Sequence, residues 1–395
     1  MRRLYVVLLL SLACPGRAPA PVPSTASRYL FVWAGDADKK ESDFLAVLDV
    51  DRGSSSYGSV VATVPVGAIG TRPHHTEYAM PASGVLWANG FDAGSTFRFD
   101  VRDPLHPKLL ETLGDAGEYS HPHSYARMPN GHILAAFQHH SGANGVETGG
   151  LVELDSDGRL VRASSARASA DSMLRPYSLV VLPALDRVVS TATDMHLDTR
   201  SRAVQVWRLS DLALLQTILL PAGPQGAENQ LTAEPRLLAD GQTVLVNTFS
   251  CGLYRLNGLK GDSVTAEWVY STAWQPQQPF CAVPVVVGHF WLQPNGPEHA
   301  IVTLDVADPG KPREVSRATL GANQIPHWLA LEPYGDRIVI TGFRDIESRV
   351  LLARVDRASG AVRIDTTFNA DFARDTWPHG ATGRAIPHGA VFARP

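Results

Sequence analysis

Residues 121–158 read HPHSYARMPNGHILAAFQHHSGANGVETGGLVELDSDG, and this stretch holds the whole unit from which the chain is built. An apolar run opens directly after Pro122-His123, and the chain turns at Pro129-Asn130-Gly131. A second run, Ile133 to Phe137, follows, and a third, Leu151 to Leu154, closes on the acidic tip Asp155-Ser156-Asp157-Gly158. Short apolar runs punctuated by Gly, Pro, Asn and Asp are strands joined by turns. The phrase recurs from Pro73 (PHHTEYAMPASGVLWANGF), Pro176 (PYSLVVLPALDRVVSTATD), Glu234 (EPRLLADGQTVLVNTFS), Val283 (VPVVVGHFWLQP) and Pro326 (PHWLALEPYGDRIVITGF). With residues 75, 123, 177, 234, 284 and 327 taken as equivalent, the spacings are 48, 54, 57, 50 and 43, the length of a four-stranded propeller blade.

The two ends supply a seventh unit. Residues 29–67 read as three strands without an inner run, and PHGAVFA from Pro387 reads as an inner run without its blade. Joined, they close a ring and remove the exposed edge of an open β-array. The fold expected is therefore all-β, a seven-bladed β-propeller closed by N- and C-terminal strands in one blade, with residues 27–395 as a single domain. Two stacked sandwiches would show similarly spaced strand groups.

Composition agrees. The 395 residues carry 35 Lys+Arg against 39 Asp+Glu, only 19% are charged, and no basic block occurs, so a nucleic-acid partner is not expected. The 33 Gly and 28 Pro favour short strands and turns over long helices. Residues 1–26 read as an export signal: Arg2 and Arg3 precede an apolar run from Leu4 to Leu12, too short to span a bilayer, and small residues follow. Cleavage after Ala26, behind Ser24-Thr25, is easier than after Ala20, where Pro21 would flank the cut. Cys14 offers lipid attachment as an alternative, with Ser11 where a Leu is normally wanted. The mature chain is expected in the periplasm or secreted, with no transmembrane segment. Its Cys251 and Cys281 then sit in a compartment that permits oxidation, where a disulfide and two free thiols are both open, and a disulfide is favoured over metal ligation because the chain's histidines already supply enough ligands.

Fourteen histidines are many for this length, and their register matters more than their number. His75, His123, His327 and His388 each follow Pro or Pro-His at the start of an inner run. Inner strands line a propeller's channel, so these imidazoles should converge on the axis. Neutral imidazole binds copper, zinc, iron or nickel, and three or four make a normal ligand set. His74 and His121 are further candidates, less certain in direction because neighbours on a strand face opposite ways. Pro-His at blade starts would also serve turn chemistry alone. The equivalent positions of other blades hold Tyr177 and Glu234, a phenol and a carboxylate able to orient a ligand or move a proton. Glu234 would otherwise be neutralised by Arg236 or Arg175. His139 and His140 are expected on a blade-top loop. No nucleophile elbow, phosphate-binding Gly loop, zinc-protease helix or dinucleotide fingerprint is present.

DFLAVLDVDRGSSSYGSVVATVPVG (43–67), PHH (73–75), HPHSYARMPNGHILAAF (121–137) with GGLVELDSDG (149–158), and LDVADPGKP (304–312) resemble the selenium-binding protein and methanethiol oxidase family over nearly the full mature chain. The resemblance implies a seven-bladed propeller and copper-dependent conversion of a methyl thiol and dioxygen to formaldehyde, hydrogen sulfide and hydrogen peroxide. It matches His74 and His75 to the family's paired histidines, His121 and His123 to its H-x-H, His388 to its C-terminal histidine and Glu234 to its Glu-x-Arg. Three departures stand out. Gly58 replaces the cysteine of animal members, His327 replaces a glutamine, and HGAVFARP (388–395) replaces the family's closing phrase. The expectation is a small-thiol oxidase using O2 and copper or another transition metal; the rival is a non-catalytic propeller with a structural or vestigial metal site.

Overall fold

The computed structural model describes residues 26–142, 145–168, 173–195, 200–272, 280–342 and 348–395, with side chains described outside 141–147. Of the leader expected over residues 1–26, residues 1–25, Cys14 among them, lie outside the described residues.

The chain forms seven antiparallel sheets, and among the described residues there is no α-helix. Blade 1 is made of Tyr29–Asp36, Phe44–Asp49 and Val60–Pro65, and its innermost strand is the C-terminal Ala385–Phe392, paired from Leu30↔Phe392 to Asp36↔Ala385. Blades 2 to 7 follow in chain order, with innermost strands Pro73–Thr76, Tyr119–Arg127, Pro176–Leu182, Thr232–Leu237, Val285–Val287 and Pro326–Leu331. The strands taken from the two ends do close the ring in one blade. Buried apolar side chains gather between successive blades: Phe31, Leu45, Phe97 and Phe99 between blades 1 and 2, for example, and Leu292, Ile301, Leu329 and Ile340 between blades 6 and 7. Each sheet therefore buries both faces, which is why its strands read as near-continuous apolar runs.

One irregularity repeats around the axis. In blades 1, 2, 3, 4, 5 and 7 the innermost strand carries one residue more than its neighbour at the same place: between Pro387 and Ala390, Pro73 and Thr76, Pro122 and Ser124, Pro176 and Leu179, Thr232 and Pro235, and Pro326 and Trp328. Such a bulge frees the extra residue from the ladder and re-aims its side chain. Polar side chains of the second strand take up the freed backbone groups. Asn89 accepts from the His75 amide (2.6 Å) and donates to the Pro122 carbonyl of the next blade (2.8 Å). Asn247 does the same for Glu234 (3.1 Å) and the Cys281 carbonyl (2.8 Å), and Gln138 donates to the Pro176 carbonyl (2.8 Å). These three clamps pin one blade to the start of the next, satisfying buried backbone groups that no ladder reaches.

Cys251 and Cys281 form a disulfide from blade 5 to the approach of blade 6, with Cα atoms 5.0 Å apart, as favoured from the sequence. His139 and His140, expected on a loop, belong instead to the strand Ile133–Gly142, opposite Ser120 and Tyr119. The apolar run continues past Phe137 as a strand because a polar residue, Gln138, is buried there as an inter-blade clamp.

Candidate metal centre

The bulged residues of blades 1, 2, 3 and 7 are the histidines. His74 and His75 stack on one another, ring centroids 4.4 Å apart, and both reach the axis because the bulge between Pro73 and Thr76 cancels the usual alternation. Ligand atoms of His74, His75 and His123 all lie within 4.8 Å of one another, and those of His74, His327 and His388 do the same. His74 is the shared member: its ring is 4.8 Å from His123, 4.1 Å from His388 and 6.0 Å from His327. Gly389 permits this approach, since a Cβ there would lie 2.6 Å from the Thr76 amide and 2.7 Å from the His74 carbonyl.

The second ring nitrogens decide what the first can do. His123 Nδ1 donates to the Tyr177 carbonyl (2.7 Å) and His388 Nδ1 to the His74 carbonyl (2.7 Å), so in each the proton is on Nδ1 and the lone pair on Nε2. His75 Nδ1 bonds the Ser124 hydroxyl at 2.9 Å. The Nε2 atoms of His74, His75, His123 and His388 are buried with no hydrogen-bond partner among the described residues. Orphaned buried nitrogens require an explanation, and a metal ion is one that needs neutral imidazoles with the far nitrogen held by a carbonyl. All five rings are kept neutral: burial, then the charge of neighbouring imidazoles, holds His74, His75 and His327 well below the usual histidine range. Burial brings His123 and His388 down to about 3. The residues present therefore fit a nitrogen-bound transition metal.

His121 does not join them. Its backbone is left-handed (φ 59°) and the bulge falls directly after it, so the i, i+2 relation of His121 and His123 no longer puts both on one face. The His121 ring packs 4.2 Å from His139 and 5.6 Å from Phe91 instead.

Blades 4 and 5 place Tyr177 and Glu234 at the equivalent bulges. The Tyr177 ring lies 3.9 Å from His123, and its hydroxyl is buried without a partner among the described residues. Burial, then the charge of Glu234, raises its ionisation well above the phenol range, so it keeps its proton. Glu234 is fully buried and ion-paired: Arg236 donates at 2.7 Å, Tyr78 at 2.8 Å, and Ser178 also donates to it. The salt-bridge alternative for Glu234 thus holds for Arg236, and Arg175 turns to Asp194.

Sequence reasoning missed Tyr78. Its hydroxyl stands 3.3 Å from Ser124, whose oxygen touches both His75 and His123, and its ring is held between Trp328 (5.1 Å, stacked) and the Arg236 guanidinium (4.2 Å). Three residues beyond the histidine pair, it occupies no repeated position, so the register carried no signal for it. Phe249 and Phe280, 5.2 Å apart, continue an aromatic arc from Tyr177 to His327.

Fold and site together define a seven-bladed propeller with a buried imidazole cluster on its axis. The resemblance read in the sequence is borne out: over 129 residues the chain is 35% identical to a methanethiol oxidase of Hyphomicrobium sp, covering 30% of this chain and 29% of that protein. A methanethiol oxidase of Ruegeria pomeroyi is 30% identical over 154 residues, 37% of this chain and 34% of that one. The matches thus span about a third of each curated relative. No family model matches the chain. A hypothetical selenium-binding protein from Sulfolobus tokodaii superposes with a TM-score of 0.76 over 94% of both chains at 16% identity. The periplasmic gluconolactonase of Pseudomonas aeruginosa reaches 0.64 over 93% of this chain and 99% of its own, at 15% identity. At such identities these two speak for the fold alone.

Proposed function

We propose that this protein is an exported, metal-dependent oxidase of methanethiol or another small thiol, with copper held by His74, His75, His123, His327 and His388. The observation that carries the reading is the set of buried Nε2 atoms that have no partner among the described residues, drawn from blades 1, 2 and 3 onto one axis. The similarity to methanethiol oxidases supports the substrate class. A bound copper ion would supply a soft redox centre that takes a thiolate and exchanges electrons with O2. Overall, methanethiol, dioxygen and water in equal amounts give formaldehyde, hydrogen sulfide and hydrogen peroxide in equal amounts, a change that balances in atoms and requires protons to move. We assign one of these protons to Tyr177, whose protonated hydroxyl has no partner among the described residues and whose ring lies beside His123. Glu234, through Tyr78 and Ser124, orients the His75 and His123 rings from behind. Tyr177, Phe249 and Phe280 make an apolar wall that suits a methyl group and disfavours water.

One observation favours the rival. Every ligand histidine is buried, with His388 the most exposed at 7%, and five imidazoles could saturate an ion and leave no open position. One experiment separates the two: protein loaded with copper is given methanethiol and O2 uptake is followed. Uptake that disappears in His123→Ala upholds the oxidase; a copper-loaded protein that consumes no O2 with methanethiol or larger thiols makes the centre structural.

A further inference from the structure

The seam between blades 7 and 1 contains a buried carboxylate built around the start of the described chain. Glu332 is 2% exposed, and its Oε1 accepts the Ser27 backbone N–H at 2.7 Å. Arg337 holds the same carboxylate through Nε (2.9 Å) and Nη2, and reaches on to the Ser27 and Val50 carbonyls. The Ser27 hydroxyl donates at 2.6 Å to the carbonyl of Ala393, the residue directly after the innermost strand of blade 1, so one residue is bound at once to the end of that strand and to blade 7. The turn after Glu332 is shaped for this: a Cβ on Gly335 would lie 2.1 Å from Glu332 Oε2. Ser27 is 1% exposed whereas Ala26 is exposed, facing a groove of about 580 Å³ lined by Arg28, Tyr334 and Asp336 among others.

We infer that the peptide bond between Ala26 and Ser27 is the processing site, and that the amino group it releases forms a buried ion pair with Glu332 that latches the ring. The inference rests on the export reading. Hydrolysis by an export-coupled endopeptidase adds one water, leaving a carboxylate on Ala26 and, at neutral pH, an ammonium on Ser27. Small residues at Ser24 and Ala26 meet the needs of such an enzyme. The nitrogen that now donates as an amide would donate as a cation, and a charge-assisted bond to a buried carboxylate is roughly twice as strong as a neutral one. Its two further protons have the groove to turn to. Because Ser27 is buried once the ring closes, cleavage precedes folding.

The full chain is expressed in an exporting bacterial host, recovered from the periplasm, and its first residue found by N-terminal sequencing and intact mass. Ser27 is expected. In a second form of the full chain, Ala-Gln is inserted between Ala26 and Ser27, which moves the new amino group two residues from Glu332 without touching the core. This form should melt about 2 °C or more below the parent, and Glu332→Gln should lower the melting temperature less in it than in the parent. A periplasmic product beginning at any other residue, or an insertion that leaves melting unchanged, overturns the latch while leaving export standing. A full-length product retained in the cytoplasm overturns both.

Discussion

His74 is the residue on which the two imidazole groups depend, and its replacement should do more than that of any other ligand. His74→Ala is expected to abolish stoichiometric metal binding, while His327→Ala, which touches one group, leaves a weaker site; titration with copper or zinc followed by metal analysis distinguishes them. Tyr177→Phe removes a buried hydroxyl that bonds to nothing described, so stability should hold or rise slightly, while thiol-dependent O2 uptake falls by about 10²-fold or more if the hydroxyl handles a proton. Unchanged turnover would remove Tyr177 from the chemistry. The imidazoles also set a pH dependence. In the unfolded chain they take up protons near 6.5, the ordinary histidine value, whereas His123 and His388 resist until about 3 when folded. Between those values the unfolded state binds more protons, so metal-free protein should lose stability as pH falls from about 6.5 towards 3. Each such histidine contributes about 1.4 kcal/mol per pH unit across that window. Chemical denaturation at stepped pH measures the slope; a flat profile there would mean the rings are not buried neutral.

The bulged inner strand with its amide clamp is the device that turns a repeat into a site. Asn89 satisfies the His75 amide and the Pro122 carbonyl together, from a fully buried position. Asn89→Ala leaves both without partners and should cost about 2–3 kcal/mol, with a matching loss of metal affinity as His75 loosens; Asn89→Leu, which fills the space, should recover neither. The histidines at the starts of blades 1, 2, 3 and 7 were legible because Pro-His recurs there in register. Its direction was not, because a bulge shifts alternation by one residue and depends on how the second strand pairs. His74 and His121 show both outcomes: the same device brings one to the axis and turns the other towards His139.

Ring closure is where distant parts of the chain meet. Ala385–Phe392 supplies the innermost strand of blade 1 and carries His388, so ending the chain after Trp377 should open the ring, remove a ligand and yield aggregating protein. A soluble monomer with unchanged melting would contradict closure. The Cys251–Cys281 link, closing a separation of 30 residues, should stabilise by roughly 3–4 kcal/mol through the unfolded state. Cys251→Ser is expected to lower the melting temperature while copper content stays the same.

Blade number, strand order and the split terminal blade were written in the primary structure, since each unit must repeat its strand-turn rhythm to bury both faces of a sheet between neighbours. The candidate ligands were legible for the same reason: equal places in equal blades reach one axis. Which imidazoles face inward, that Glu234 is held by Arg236 and Tyr78, and that Ser27 finds Glu332 were settled only by the folded ring. These depend on backbone irregularities and on partners from other blades, up to hundreds of residues apart, and no local pattern records which side chain will stand across an interface.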